Sequence, residues 1–213
     1  MSSRIPFKYP RSRHVRKQRP PVFADYRKYK PFLRDEFGRQ CVYCRMPDGP
    51  KTPNEFGVDH YKPQKRFPEL QADYSNLYYC CNACNSRKRD FWPTPTQLKR
   101  GVYVPAPCQH KMSHHLGYHQ VEVRSRTIAG TWTIDLLDLN RDDDMTYRGW
   151  LLRQIERTFA DWTACRDRLG KIKKVLARGL PSPKVAKLDA QRAKLRVALS
   201  IAEADLKMLT GAV

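Results

Sequence analysis

The pattern of apolar and polar positions predicts short elements early in the chain and two long helices at its end. Between positions 22 and 37 apolar residues recur at rough helical spacing, and Pro31 is expected to begin a second helix there. The stretch 120–139 alternates apolar and polar residues around Ala129-Gly130, which predicts a β-hairpin with its turn at that pair. From Met145 onward, apolar residues three or four apart predict an antiparallel helical hairpin.

The middle of the chain adds two strands and a helix to this pattern. "VDHYKP" (58–63) has the character of a strand end that runs into a proline-marked turn, and "YSNLYYCCNACNSRKRD" (74–90) that of a second strand turning into a helix. Together these elements predict an α+β fold, with a small ββα module, a β-hairpin segment and a C-terminal antiparallel helical hairpin. The expected units are a basic flexible arm (1–22), a small module (23–100), an irregular His-rich segment plus a β-hairpin (101–144) and a helical hairpin (145–213).

The charge of the chain indicates a polyanionic partner. Lys and Arg number 41 against 21 Asp and Glu, a formal net charge of +20 over 213 residues. Nucleic acid is favoured over a membrane surface, because no apolar run approaches the roughly 20 residues that span a bilayer. Residues 1–22 hold seven Lys or Arg, four Pro and no acidic residue. We expect an extended or disordered arm there, and neither a secretory signal nor a membrane anchor.

The cysteines predict a structural metal site. Four of the seven form two Cys-x-x-Cys pairs, Cys41/Cys44 and Cys81/Cys84, and with no export signal we expect reduced thiols, metal ligation and a cytoplasmic protein. Two such pairs close a tetrahedral Zn²⁺ site, and four thiolates leave the ion no open position for catalysis. Cys80 is an alternative to Cys81, but it lacks the two-residue gap to Cys84.

Four polar residues near the cysteines match the needs of phosphodiester hydrolysis. His60 offers a base that titrates near neutral pH. Asp59 and Asn85 offer oxygens for a partly hydrated divalent ion such as Mg²⁺ or Mn²⁺. Neighbours within a strand face opposite sides, so Asp59 and His60 must lie at a strand end, where Asn76 would brace the following loop. Each residue also has an ordinary interpretation, as a core histidine, a turn former or a helix cap.

The segment from Cys41 to Asp90 resembles the HNH endonuclease family with its ββα-metal fold. The resemblance is carried by four motifs in this order: Cys-x-x-Cys, Asp-His-x-x-Pro, Asn-Leu and Cys-x-x-Cys-Asn-x-x-Lys. The resemblance implies that His60 is the general base, that Asn76 fixes its loop, and that Asp59 and Asn85 bind the catalytic ion. Asn85 stands where the last His of the motif often stands, so the chain resembles the HNN variant. "KRFPELQADY" replaces the glycine-rich turn common between the two strands.

Further basic and metal-type residues lie beside this motif. Arg87, Lys88 and Arg89 are expected to contact nucleic-acid phosphates, with a solvated helix face as the alternative. A cluster of Cys and His residues follows, whose spacing favours packing or interface use over a second metal site: Cys108, His110, His114, His115 and His119.

The order of parts after residue 100 resembles HNH subunits of Septu-type antiviral defence systems, and this resemblance implies an ATPase partner. We therefore expect a metal-dependent endonuclease that cuts DNA with His60 as its base. A non-catalytic zinc-containing protein that binds nucleic acid, or an adaptor that binds a protein through the helical hairpin, is the alternative.

Overall fold

The computed structural model describes residues 6–49, 55–179 and 181–211. Its helices are α1 (Lys30–Glu36), α2 (Asn82–Lys88), α3 (Pro95–Lys99), α4 (Met112–His115), α5 (Ile128–Leu137), α6 (Asp142–Leu176) and α7 (Ser182–Thr210). Its strands are β1 (Phe56–His60), β2 (Leu77–Cys81), β3 (Leu116–His119) and β4 (Glu122–Ser125). The predicted α+β class, with a ββα module and a helical hairpin, is confirmed.

A two-stranded antiparallel sheet followed by a helix forms the centre of the module. β1 and β2 pair with Asp59 opposite Tyr78 and His60 opposite Leu77, and α2 begins directly after β2. Every residue of β2 is buried, in keeping with its unbroken apolar sequence. His60 is the last residue of β1, so the Asp-His pair does lie at a strand end.

The second hairpin is not where the sequence pattern placed it. β3 and β4 pair antiparallel over Leu116–Ser125, and Gln120 in the turn has a φ of +54°. Ala129 and Gly130 lie inside helix α5, so the prediction of a turn at that pair is wrong. The Thr127 side chain accepts a hydrogen bond from the Gly130 amide and caps the helix, a local signal that overrides the alternating pattern.

Residues 6–22 of the basic arm are extended and contact the module. Phe7 and Tyr9 are each 3% exposed and belong to the core. The buried Glu36 carboxylate accepts hydrogen bonds from His14 Nε2 at 2.7 Å and from the Lys17 amide at 2.8 Å. The Arg16 guanidinium stacks on three aromatic rings and donates to the Leu77 carbonyl at 2.6 Å. The arm is therefore held by two polar anchors and two apolar ones.

The long helices α6 and α7 pack against each other as the predicted helical hairpin. A small apolar cluster joins its root to the module: Phe7, Met46, Leu151, Ile155 and Leu209. The Gln40 side chain also donates to the Thr210 carbonyl at 2.8 Å, at the end of α7. Within the described residues, none of the helices combines the length and the apolar character that crossing a bilayer requires.

Candidate functional site

The four predicted cysteines meet at one point between the loop before β1 and the start of α2. The sulfur atoms of Cys41, Cys44, Cys81 and Cys84 all lie within 4.8 Å of one another, as the ligands of a tetrahedral ion do. Cys80 Sγ lies 3.9 Å from Cys41 Sγ, but it also lies 3.2 Å from the Cys81 carbonyl and stays outside the cluster. The donor set therefore fits zinc, with Cys81 as the spacing predicted.

On the other side of α2, an open cleft of about 450 Å³ contains the candidate catalytic residues. The end of β1, the loop that follows and the exposed side of α2 form its walls. Its lining includes Asp59, His60 and Asn85, so the structure brings these three predicted residues to one place. Arg89 also lines the cleft and is exposed. The cleft is accessible to a large ligand, as a polymer substrate requires.

The His60 imidazole is held by the loop between the two strands. Its Nε2 lies 2.9 Å from the Gln71 carbonyl oxygen, which can only accept, so we assign the ring proton to Nε2. The Gln64 amide nitrogen lies 3.0 Å from Nδ1 and 2.9 Å from Nε2. With the proton on Nε2, Nδ1 keeps its lone pair and accepts from Gln64. Tyr26 packs edge-on against the ring, with centroids 4.5 Å apart. The imidazole is thus oriented with one nitrogen available as a base.

Burial lowers the pKa of His60 below its ordinary value. Lys88 lowers the same pKa further, whereas the Gln71 carbonyl and the Asp59 carboxylate raise it and offset part of this effect. The net shift favours the neutral imidazole, which is the form that accepts a proton.

Asp59 is more enclosed than the sequence suggested. Its side chain is 2% exposed, and Lys88 Nζ donates to Oδ1 at 2.9 Å. The Tyr43 hydroxyl donates to Oδ2 at 2.6 Å. A carboxylate offers about four lone-pair positions, so lone pairs remain beyond these two bonds, and Asp59 is among the residues that line the cleft. A cation bound there would share the carboxylate with an ammonium group.

Asn76 holds the loop that follows β1. Its Oδ1 accepts from the Lys62 amide at 2.8 Å, and its Nδ2 donates to the Lys62 carbonyl at 3.1 Å. The Asn76 carbonyl also accepts from the Tyr61 amide at 3.0 Å. This buried residue thus bonds to both positions that follow His60.

Asn85 faces the cleft from the middle of α2. Its Nδ2 donates to the Val58 carbonyl at 3.4 Å, so its Oδ1 is the atom that can accept or bind a cation. α2 lies close to β1 here, since a Cβ added at Gly57 would lie 3.3 Å from Asn82 Oδ1. One carboxylate and one amide oxygen, with water and phosphate as further ligands, fit a hard divalent ion such as Mg²⁺.

The three basic residues at the end of α2 do not share one role, which corrects the expectation for Lys88. The Lys88 side chain is 1% exposed, and it also donates to the His60 carbonyl at 2.8 Å, so it cannot reach a phosphate on the surface. Arg87 is turned toward α5 and α6, where it bonds the Leu137 carbonyl at 3.0 Å and pairs with Asp144 at 3.4 Å. Arg89 alone of the three lies open in the cleft.

The Cys and His residues after position 100 form no second metal cluster. Beyond the four cysteines, no group of three or more His, Cys, Asp or Glu side chains in the described ranges is placed to hold an ion. His110 and His115 contact each other and Tyr103 as rings, and His115 Nδ1 bonds the Thr127 hydroxyl at 2.8 Å. These contacts agree with packing.

Sequence reasoning missed three groups that hold His60. Gln71 acts through its backbone carbonyl, for which no side-chain motif exists. Gln64 and Tyr26 come from the following loop and from before α1, and only the fold brings them to the imidazole. The replaced turn "KRFPELQADY" contains Gln71, so an unusual loop supplies the orienting contact.

Comparison with known proteins agrees with this geometry. A family model described as HNH endonuclease matches residues 41–91, which contain the cysteine cluster and the cleft residues of β1 and α2. The predicted resemblance to this family is therefore confirmed for that segment.

A second similarity extends beyond this segment. Over 129 residues the chain is 25% identical to the Septu protein PtuB of Bacillus thuringiensis, covering 58% of this chain and 47% of that protein. The chain thus spans about half the length of this curated relative. No solved structure matches.

Proposed function

We propose that this protein is a metal-dependent endonuclease that hydrolyses phosphodiester bonds of nucleic acid, with DNA as the favoured substrate. The observation that carries the proposal is the bond between His60 Nε2 and the Gln71 carbonyl, 2.9 Å long. It leaves Nδ1 as a base in a cleft that also contains a carboxylate and an amide oxygen. The match to the HNH endonuclease family supports the same conclusion.

In the proposed reaction, His60 Nδ1 removes a proton from a water molecule. This water takes the hydrogen-bond position that the Gln64 amide nitrogen has in the structure. The water oxygen forms a bond to phosphorus, the bond to the 3′ oxygen breaks, and that oxygen takes a proton from solvent. The exposed Arg89 guanidinium would pair with the substrate backbone.

Two different ions accompany this chemistry in the proposal. The four cysteines hold a structural Zn²⁺ that stabilises the module. Asp59 and Asn85 hold a Mg²⁺ or Mn²⁺ ion, which when bound supplies positive charge beside the phosphate and the departing oxygen. Asn76 acts indirectly, by fixing the loop after His60.

The test is cleavage of plasmid DNA and of RNA in Mg²⁺ or Mn²⁺ by the wild type and by His60→Ala. His119→Ala, which changes an exposed histidine outside the cleft, is the matched control. We expect cleavage by the wild type and the control, and a loss of at least about 100-fold in His60→Ala, the lower range for general base catalysis. Equal cleavage by His60→Ala would contradict the proposed base.

One observation favours the second candidate, a zinc-containing protein that binds nucleic acid or an adaptor without catalysis. Both Asp59 oxygens already accept hydrogen bonds, from Lys88 and Tyr43. A carboxylate used only in this way needs no catalytic ion. Binding of nucleic acid without cleavage under any metal or partner condition would support this candidate.

We further propose a role in antiviral defence together with an ATPase partner, on the basis of the similarity to the Septu protein PtuB. None of the seven cysteines, all of which lie in the described ranges, forms a disulfide, which suits the proposed cytoplasmic location. Co-purification with the product of the neighbouring gene, and protection of cells against phage, would test this role.

A further inference from the structure

A buried cation lies beside the four-cysteine cluster and comes from the helical hairpin. Arg148 of α6 is 1% exposed. Its guanidinium donates to the Leu139 carbonyl at 2.7 Å and to the Tyr118 hydroxyl at 3.2 Å. Tyr118 in turn donates to the carbonyl of Cys44, one of the four cysteines, at 2.7 Å. A chain of hydrogen bonds therefore joins α6 to the metal-binding loop.

The charge of Arg148 has no partner among the described carboxylates. Its acceptors are a carbonyl and a hydroxyl, and its Nε is buried without any hydrogen bond. Asp144 lies one turn earlier, but its carboxylate pairs with Arg87 at 3.4 Å. A buried guanidinium without an opposite charge is strongly unfavourable.

The cysteine cluster is a second source of negative charge beside Arg148. Arg148 lines one small cavity, of about 20 Å³, together with Cys44, Cys81 and Cys84 and with the Arg87–Asp144 ion pair. Four thiolates around a divalent ion carry a net double negative charge, because each ligand must lose its proton. The Nε of Arg45, next to Cys44 in sequence, is also buried without a hydrogen bond. Two guanidinium groups would thus balance the two negative charges.

We propose that Arg148 is the counter-charge of the zinc–thiolate centre, and that it couples metal binding to the docking of the helical hairpin. The metal stabilises the position of α6 through Arg148, and α6 in turn tightens the metal site by the same factor. The inference rests on the structural zinc of the proposed function and not on nuclease activity. A failure of the counter-charge proposal can therefore be distinguished from a failure of the proposed nuclease function.

The experiment measures metal affinity in variants of the full chain. Zn²⁺ is titrated against a chromophoric chelator, and Co²⁺ is used for its sulfur-to-metal absorption band. Arg148→Met removes the charge, Arg148→Lys keeps it, and Arg157→Met changes an exposed arginine of the same helix as the matched control. Leu151→Ala removes a fully buried side chain at the root of the hairpin without changing any charge.

We expect Arg148→Met to bind Zn²⁺ about 10- to 100-fold more weakly than Arg157→Met, the usual loss when an outer partner of a metal site is removed. Arg148→Lys should recover a large part of this loss. A loss of less than tenfold in Arg148→Met, an equal loss in Arg148→Lys, or an equal loss in Leu151→Ala would overturn the counter-charge assignment.

The coupling to the hairpin has its own measurement. When both proteins are saturated with zinc, amide protons of residues 148–155 should exchange faster in Arg148→Met than in Arg157→Met. Unchanged exchange at these amides would show that the charge does not hold α6 to the module.

Discussion

Replacing Lys88 with Met separates the structural role of this lysine from the phosphate contact that the sequence suggested. The Lys88 and Asp59 side chains are 1% and 2% exposed and form an ion pair of 2.9 Å. Met keeps the length and apolar character of the stem but removes the ammonium. The Asp59 carboxylate then stays buried with Tyr43 as its remaining donor.

Breaking a buried ion pair from one side typically costs about 3–5 kcal/mol, because the other charge stays uncompensated. We expect a loss of this size in the free energy of unfolding of Lys88→Met, measured by urea denaturation with saturating zinc. Arg89→Met, at the exposed neighbouring position, should change the same quantity by less than about 0.5 kcal/mol.

The double variant Asp59→Asn/Lys88→Met removes both charges and should recover much of the stability lost in Lys88→Met. This recovery would appear as a coupling energy in a double-mutant cycle. If Lys88→Met instead unfolds within about 1 kcal/mol of the wild type while its affinity for nucleic acid falls, the buried pair is not a stabilising feature. The sequence expectation of a phosphate contact would then be correct.

Four further outcomes follow from individual contacts. Cleavage should persist below pH 6.5 and be lost as pH falls through the lowered pKa of His60, since only the neutral ring accepts a proton. Loss of cleavage already above pH 7 would contradict this. Asn76→Ala should lower the free energy of unfolding by about 1–3 kcal/mol and reduce cleavage, because the backbone amide and carbonyl of Lys62 lose their hydrogen-bond partner. Unchanged stability and cleavage would refute the proposal that Asn76 holds this loop. Cys81→Ser should abolish zinc binding in a metal assay, whereas Cys80→Ser should retain it; the reverse result would reassign the ligand. Gly130→Ala should lower the melting temperature, with a cost of about 1–3 kcal/mol, because its Cβ would clash with the backbone carbonyl oxygen of His115. An unchanged melting temperature would refute this close packing.

The parts of the fold that the sequence predicted well are those set by local patterns. Spacing identified the four cysteines, because a metal site needs ligands at short fixed intervals. Apolar residues three or four apart predicted the helical hairpin, and Pro31 does lie in the first turn of α1. The β-hairpin was misplaced, because the Thr127 cap and the close packing of Gly130 select a helix where the alternating pattern favours a strand.

The candidate site shows the same division between local and long-range information. His60, Asp59, Asn76 and Asn85 stand in an ordered motif that can be read along the chain. The burial of Lys88 could not be read in this way, because a lysine looks the same in sequence whether its ammonium faces water or a buried carboxylate. The same holds for the arm at residues 6–22. Its basic composition gives no sign that Arg16 bonds the Leu77 carbonyl and His14 the Glu36 carboxylate.

By itself, the sequence determined which groups are available to bind a metal or accept a proton, because these are properties of residue types at short separations. The tertiary structure alone decided which side chains are fixed in place by hydrogen bonds. Examples are the bond of His60 with the Gln71 carbonyl and that of Arg148 with Tyr118. These contacts join positions whose proximity depends on the whole packed core. Patterns within single segments do not encode such proximity.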